Sequence, residues 1–332
     1  MTIRDRKLKK LEPVLAENLE KKLSAEEEFE FAEYDNTRAE RTGYSNYSYW
    51  KSTFQTFRKN RVAMALLVVV ILILVFTFIQ PFLPGQRDPN LVNNGPDGNL
   101  VRNASPNSEF WFGTNAIGQD LWSRIWAGTR NSLLIGFAVA LVEAVVGIFV
   151  GVLWGYVRKL DFILTEIYNV LDNIPTTIVL ILFSYILKPS VQSLILAMSI
   201  TGWIGMARFI RNQIVIIRDR DYNLASRCLG TPTMRIIFKN LLPYLVSVIM
   251  MRMALAIPGA IGSEVFIAYI GLGLPISTPG LGTLINEGRA VMMSSSLRYQ
   301  LIFPTLVLSV ITISFYIIGN SFADAADPKN HV

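Results

Sequence analysis

Residues 62–83 read VAMALLVVVILILVFTFIQPFL, a run of aliphatic and aromatic side chains without one charge. A helix rises about 1.5 Å per residue, so about 20 such residues cross the hydrocarbon of a bilayer. In water the stretch would expose apolar groups on every face. In lipid its backbone polar groups are satisfied within the helix. The run is therefore expected to span a membrane.

Five further runs meet the same test: Ser132–Tyr156, Phe162–Leu187, Val191–Ile210, Tyr244–Tyr269 and Tyr299–Asn320. The expected fold is an all-α polytopic membrane protein with six transmembrane helices. Composition agrees, because 52% hydrophobic against 17% charged residues is too apolar for an ordinary soluble domain of 332 residues. One Cys (Cys228) and one His (His331) exclude an internal disulfide and a Cys/His metal cluster. The formal charge of +6 marks orientation in such a chain and not nucleic-acid binding. The N-terminal tail, the Arg158–Lys159 turn and the stretch from Arg208 to Lys239 are basic, while segments 84–129, 188–190 and 271–298 carry few Lys or Arg. The positive-inside rule then places both termini in the cytoplasm of a bacterial-type cell membrane.

The organisation expected is a cytoplasmic tail with an interfacial helix (1–61), a first span (62–83), an outer segment (84–129), a five-helix core (130–321) and a short cytoplasmic tail (322–332). Residues 1 to about 45 are charged and low in apolar periodicity, and no secretory signal peptide is expected before the first apolar run. From Tyr49 to Arg61, Trp50, Phe54 and Phe57 recur at helical spacing beside Lys51, Arg58, Lys59 and Arg61. That pattern suits a helix in the headgroup layer of membrane lipid, or a solvated helix capping the bundle. In the outer segment Phe110, Trp111, Phe112, Trp122 and Trp126 suit the outer interface. Gly147, Gly151 and Gly155 form a small-residue stripe that lets another helix approach.

Between the fourth and fifth runs lies a hairpin expected over 212–243, whose core from Arg218 to Pro243 reads RDRDYNLASRCLGTPTMRIIFKNLLP. Asp221 is placed to cap a helix from Tyr222 to Leu229, and Gly230 to supply its left-handed stop. Thr231 suits the next N-cap with Pro232 at the first helical position, and the second helix would run to Leu242 with Pro243 opening the fifth span. Leu224, Ala225 and Leu229 can sit in a partner's groove. Ser226 allows close approach, and Arg227 and Arg235 reach toward acidic partner residues. An amphipathic surface hairpin without a partner fits these residues equally well.

The spacing from Ala225–Ser226 to Gly230 and on to Leu242–Pro243 resembles the EAA loop of ABC-importer permeases, whose first helix docks on the ATPase. Leu224 stands where that motif has Glu, and Ser226 where it has the second Ala. Phe112-Gly113-Thr114 with Gly118, Asp120, Ser123, Arg124, Gly128, Arg130 and Ser132-Leu133 resembles a stretch of the C-type permeases of oligopeptide and dipeptide importers. Asn115 and Gln119 replace its Asp and Arg. Trp203, Ala207-Arg208 and Arg211, then Glu264 with Gly271-Leu272-Gly273, match two further segments. The resemblance runs from about residue 48 to the end and is nearest to the oligopeptide C-subunits of Gram-positive bacteria.

That resemblance implies a type I ABC-importer permease fold and four kinds of partner. These are a homologous B-type permease, two peripheral ATPases on the hairpins, an extracytoplasmic peptide-binding lipoprotein and the oligopeptide itself. ATP and Mg would sit on the ATPases, so the chain is expected to carry no cofactor, no metal and no catalysis of its own. The sequence has no G-x-x-x-x-G-K-[ST] phosphate loop and no Ser/His/Asp set, which agrees. The coupling residues implied are Asp221, Tyr222, Leu224, Ala225, Ser226, Arg227, Leu229, Gly230, Arg235 and Pro243. Glu143, Arg252 and Glu264 interrupt apolar runs, where ionised groups are costly. Arg252 and Glu264 are expected to line the translocation path and meet peptide termini, against an intersubunit ion pair or an interface position for Glu264. A dipeptide or nickel permease of the same family is the neighbouring alternative. A secondary transporter would need an inverted repeat, and none is visible.

Overall fold

The computed structural model describes residues 49–326; the expected tail at 1–45, residues 327–332 with His331, and the Trp50 side chain lie outside the described residues. Helix α1 (Tyr49–Lys59) leads to α2 (Arg61–Ile79), capped by Asn60, whose side-chain oxygen accepts from the Ala63 N–H at 3.2 Å. The aromatics of α1 divide. Phe57 is buried among Ala63, Phe322 and Ala325, whereas Phe54 is exposed. So α1 is fastened to the bundle by one ring, while the other stays outside it. Helix α2 shows most of its apolar side chains outward, as a helix in lipid does, and ends in one 3-10 turn at Gln80–Phe82.

Helix α3 (Leu121–Tyr156) starts eleven residues before the expected second span. The Asp120 carboxylate accepts from the Ser123 N–H at 3.0 Å and its hydroxyl at 2.7 Å, starting the helix there. The segment before it therefore ends at Asp120, not 129. At about 1.5 Å per residue α3 is ~54 Å long, well beyond the ~30 Å of hydrocarbon. The expected third span is not one helix. It divides into α4 (Arg158–Asp172) and α5 (Thr176–Ile186), bent by 73°. Pro175 has no N–H to donate and sits just before α5, so the break falls at its ring. Asp172, at the end of α4, pairs with Arg208 at 3.9 Å.

Helix α6 (Val191–Arg218) runs eight residues past its expected end. After it come α7 (Asp221–Cys228), α8 (Thr233–Ile236), a π-helical turn (Ile237–Leu241), α9 (Leu242–Tyr269), α10 (Leu281–Ala290) and α11 (Tyr299–Ala326). Among the described residues no strand forms. Five helices among the described residues are long and apolar enough to cross a membrane, and the bent α4–α5 pair, taken as one span, makes six.

The glycine stripe on α3 finds its partner within the chain, because α3 packs most extensively on α6. A Cβ on Gly147 would lie 2.6 Å from the Met206 Cβ, and one on Gly155 would lie 2.7 Å from the Ile214 Cβ. Only glycine permits that approach. Before α3, residues 84–120 fold into a cap with Trp111, Phe112, Trp122 and Trp126 clustered against Phe76, and Phe112 stacks on Phe303 at 4.1 Å. The rings tie the ends of α2, α3 and α11 together.

Candidate functional site

Two regions hold the residues singled out in the sequence. The first is the hairpin. Helix α7 begins at Asp221 itself, and the cap position is Arg220, which makes no side-chain cap bond. Asp221 is thus the first helical residue, where its carboxylate favours the positive end of the helix dipole. Gly230 adopts φ +74°, and the Thr231 N–H donates to the Ser226 carbonyl at 3.0 Å, closing the turn. The next cap is Pro232 and not Thr231, one residue later than the sequence signal. The second arm is also not a separate helix ending at Leu242. It continues through the π turn into α9, with the Leu242 N–H donating to the Ile237 carbonyl across the join and Pro243, which has no N–H to donate, directly after it. The corner is therefore continuous in backbone with a candidate membrane span.

Leu224 (42% exposed), Leu229 (86%), Tyr222 (49%), Ala225 and Arg235 all face outward. Ser226 donates to the Tyr222 carbonyl at 2.8 Å. Arg227 does the opposite of what was expected. It turns inward, donating to the Arg218 carbonyl at 2.6 Å and pairing with Asp219 at 3.4 Å, so it locks the hairpin instead of reaching outward. Asp219 also meets Arg218 at 3.1 Å and Arg158 at 3.5 Å. Slight burial works to raise its pKa, but Arg218, Arg158 and Arg227 outweigh that and hold the carboxyl below its ordinary value.

Sequence reasoning missed Asn223. It is fully buried in α7, donates to the Ile217 carbonyl at 2.8 Å, and accepts from the Asn240 side chain at 3.1 Å. One carboxamide thereby fastens the short helix to the end of α6 and to the π turn. Its sequence signal is weak: a polar residue flanked by exposed positions in a surface helix.

The second region comprises the charges within the spans. Arg252 on α9 and Glu143 on α3 line a cavity of about 210 Å3 with Gly202, Gly205 and Met206 of α6. The Arg252 guanidinium lies 4.3 Å from the Phe209 ring centroid. Glu264 is elsewhere, and its expected place on the path is corrected. It has no exposed surface, accepts from the Ser132 hydroxyl at 2.6 Å and the Gly282 N–H at 3.2 Å, and so anchors the start of α10. The Ser132 hydroxyl in turn accepts from the Leu281 N–H at 3.0 Å. Full burial excludes an intersubunit ion pair, whereas its place five residues before the end of α9 away from the hairpin agrees with an outer-leaflet position near the interface. A comparable anchor is Arg124, also fully buried, which donates to Gln119 at 2.6 Å and the Ile276 carbonyl at 3.2 Å and pairs with Glu287 at 3.1 Å. Among the described residues no group of His, Cys, Asp and Glu is placed to hold a metal ion.

Comparison with known proteins adds to this geometry. Residues 144–332 match the family profile described as binding-protein-dependent transport system inner membrane component, and residues 48–104 match that of the N-terminal TM domain of oligopeptide transport permease C. The oligopeptide transport system permease protein AmiD of Streptococcus pneumoniae is 40% identical over 92% of this chain and 98% of its own length. The dipeptide transport system permease protein DppC of Bacillus subtilis is 34% identical over 89% of this chain and 90% of its own. A chain of the inward-facing MetNI methionine ABC transporter superposes with a TM-score of 0.51 at 21% identity, covering 62% of this chain and 95% of that one, which speaks for the fold.

Proposed function

Because the chain belongs to the family of binding-protein-dependent transport system inner membrane components, a multi-pass membrane permease subunit, we propose that it forms half of the path of an ATP-driven oligopeptide importer. The observation that carries this reading is the hairpin. Helix α7 offers Leu224, Ala225 and Leu229 outward while Asn223, Arg227 and Asp219 bind it to α6, α4 and the base of α9. A docking surface fixed to three elements is a lever. The partner that moves it is a separate ATPase that holds ATP and Mg, two copies serving this chain and a homologous B-type permease. A peptide-binding lipoprotein delivers substrate to the face bearing residues 84–120. Both termini then lie in the cytoplasm, on the hairpin's side.

Closure of the ATPase pair would push α7, and the continuous α8–α9 arm would turn that push into rotation of the span carrying Arg252. The path so opened runs beside Arg252, and Glu264 stays in the wall as an anchor. Oligopeptide substrates are supported by the 40% identity to AmiD; the 34% identity to DppC supports a dipeptide as the second reading.

The test is reconstitution of the chain with these partners in lipid. Peptide-loaded binding protein should stimulate ATP hydrolysis and drive peptide inward. Gly230→Pro should abolish that stimulation, since proline is locked near φ −65° and this position needs +74°. Peptide uptake by the purified chain alone would overturn the assignment.

A further inference from the structure

We propose that Arg252 and Glu143 form a subsite in mid-membrane that grips the carboxyl-terminal residue of a passing peptide by its main chain, a reading that rests on the importer assignment above. Arg252 lies ten residues into α9 from the hairpin end, and Gly202 eleven residues into α6 from the opposite end. At about 1.5 Å per residue each is some ~15 Å deep, half the ~30 Å of hydrocarbon. Charged groups at that depth face a bundle interior or a water path.

These two face a cavity, and among the described residues neither makes an ion pair or a hydrogen bond, with each other or elsewhere. Glu264, also within a span, has its donors supplied. What holds Arg252 is the face of Phe209, which leaves the edge of the guanidinium and its N–H groups free. Glu143 lies against Gly202, where any side chain would collide with its carboxyl, and beside Gly205 there is open space. The two glycines thus keep room next to two unused polar groups.

The chemistry of the pair selects its ligand. A guanidinium fork matches a carboxylate with two parallel hydrogen bonds. A carboxylate opposite accepts N–H groups. One residue at a peptide's carboxyl end offers both, a carboxylate and the amide N–H before it. The 210 Å3 hollow is below the ~300–1000 Å3 of sites that enclose a whole ligand, so it suits one residue and not a complete peptide. Contact with main-chain atoms alone leaves the grip indifferent to side chains, as a path for varied peptides requires.

The experiment is a cycle between substrate and protein. The full reconstituted transporter takes up trialanine or its carboxyl-terminal amide, as wild type and as Arg252→Gln, Arg252→Lys and Glu143→Gln. Because every sample uses the same binding protein, its own preference cancels in the ratio of ratios. Arg252→Gln should lower trialanine uptake about tenfold and that of the amide by less than about twofold. Arg252→Lys should recover part of the loss by keeping the charge without the fork. Glu143→Gln should lower both about threefold, since both peptides keep the N–H it receives. Equal losses for the two peptides with Arg252→Gln, or no loss, would overturn the subsite. A wild-type assembly that takes up no trialanine would instead overturn the peptide-importer assignment, and the subsite with it.

Discussion

Glu264 and Glu143 both interrupt apolar helices, yet their surroundings have little in common. Glu264 is sealed between α3, α9 and the start of α10, with the Ser132 hydroxyl on one oxygen and the Gly282 N–H on the other. Glu143 looks into a cavity between α3, α6 and α9 and has no hydrogen-bond donor among the described residues. The first is a fastener joining three segments far apart in the chain. The second is a polar group left without use by the fold. A carboxylate in a span is thus informative only once its donors are counted, because satisfied groups stabilise and unsatisfied ones await a ligand.

The largest effect should come from removing the fastener. Glu264→Ala leaves the Ser132 O–H and the Gly282 N–H buried without an acceptor, at a cost of about 3 kcal/mol or more. The thermal midpoint of the protein in lipid should fall by several degrees and yield should drop. An unchanged midpoint would break the contrast, since Glu264 would then be no better placed than Glu143. Ser132→Ala is a smaller cut through the same knot. It orphans the Leu281 N–H and takes one of two donors from Glu264, for about 1–2 kcal/mol. Combined with Glu264→Ala it should add less than its separate effect, because the two share one interaction; simple additivity of the midpoints would show that they act apart.

That knot was hidden in the sequence for a plain reason. Ser132 and Glu264 are 132 positions apart, and no local pattern links them. The spans themselves were legible, because a charge-free run of some twenty residues has few other uses. Their ends were not. Helices α3 and α6 outrun the spans expected from hydropathy by eleven and eight residues, held by tertiary contacts where hydropathy is silent. The third run was expected as one span; its break falls at Pro175, and the 73° bend depends on packing. In the hairpin, Gly230 was read correctly as a left-handed turn because its chemistry is local. Arg227 was not: its inward turn depends on Asp219, the Arg218 carbonyl and Tyr156, which only the fold assembles. Asn223 escaped notice likewise, since its partner Asn240 lies across the corner.

The smallest expected effect on stability sharpens the comparison most. Glu143→Gln keeps the shape of the side chain and breaks no hydrogen bond among the described residues, so it should move the midpoint by less than about 0.5 kcal/mol of stability. Gly202→Ala gives the matching control, because its methyl would collide with the Glu143 carboxyl and push it out of its place. In the Glu143→Gln background the collision remains, since the amide occupies the same volume. Because that side-chain end is flexible and faces a cavity, Gly202→Ala should cost little stability, and equally little with either side chain at 143. A large loss with Glu143 that the amide relieves would mean that the carboxyl group has a partner in the folded bundle, and Glu143 would belong with Glu264 among the fasteners.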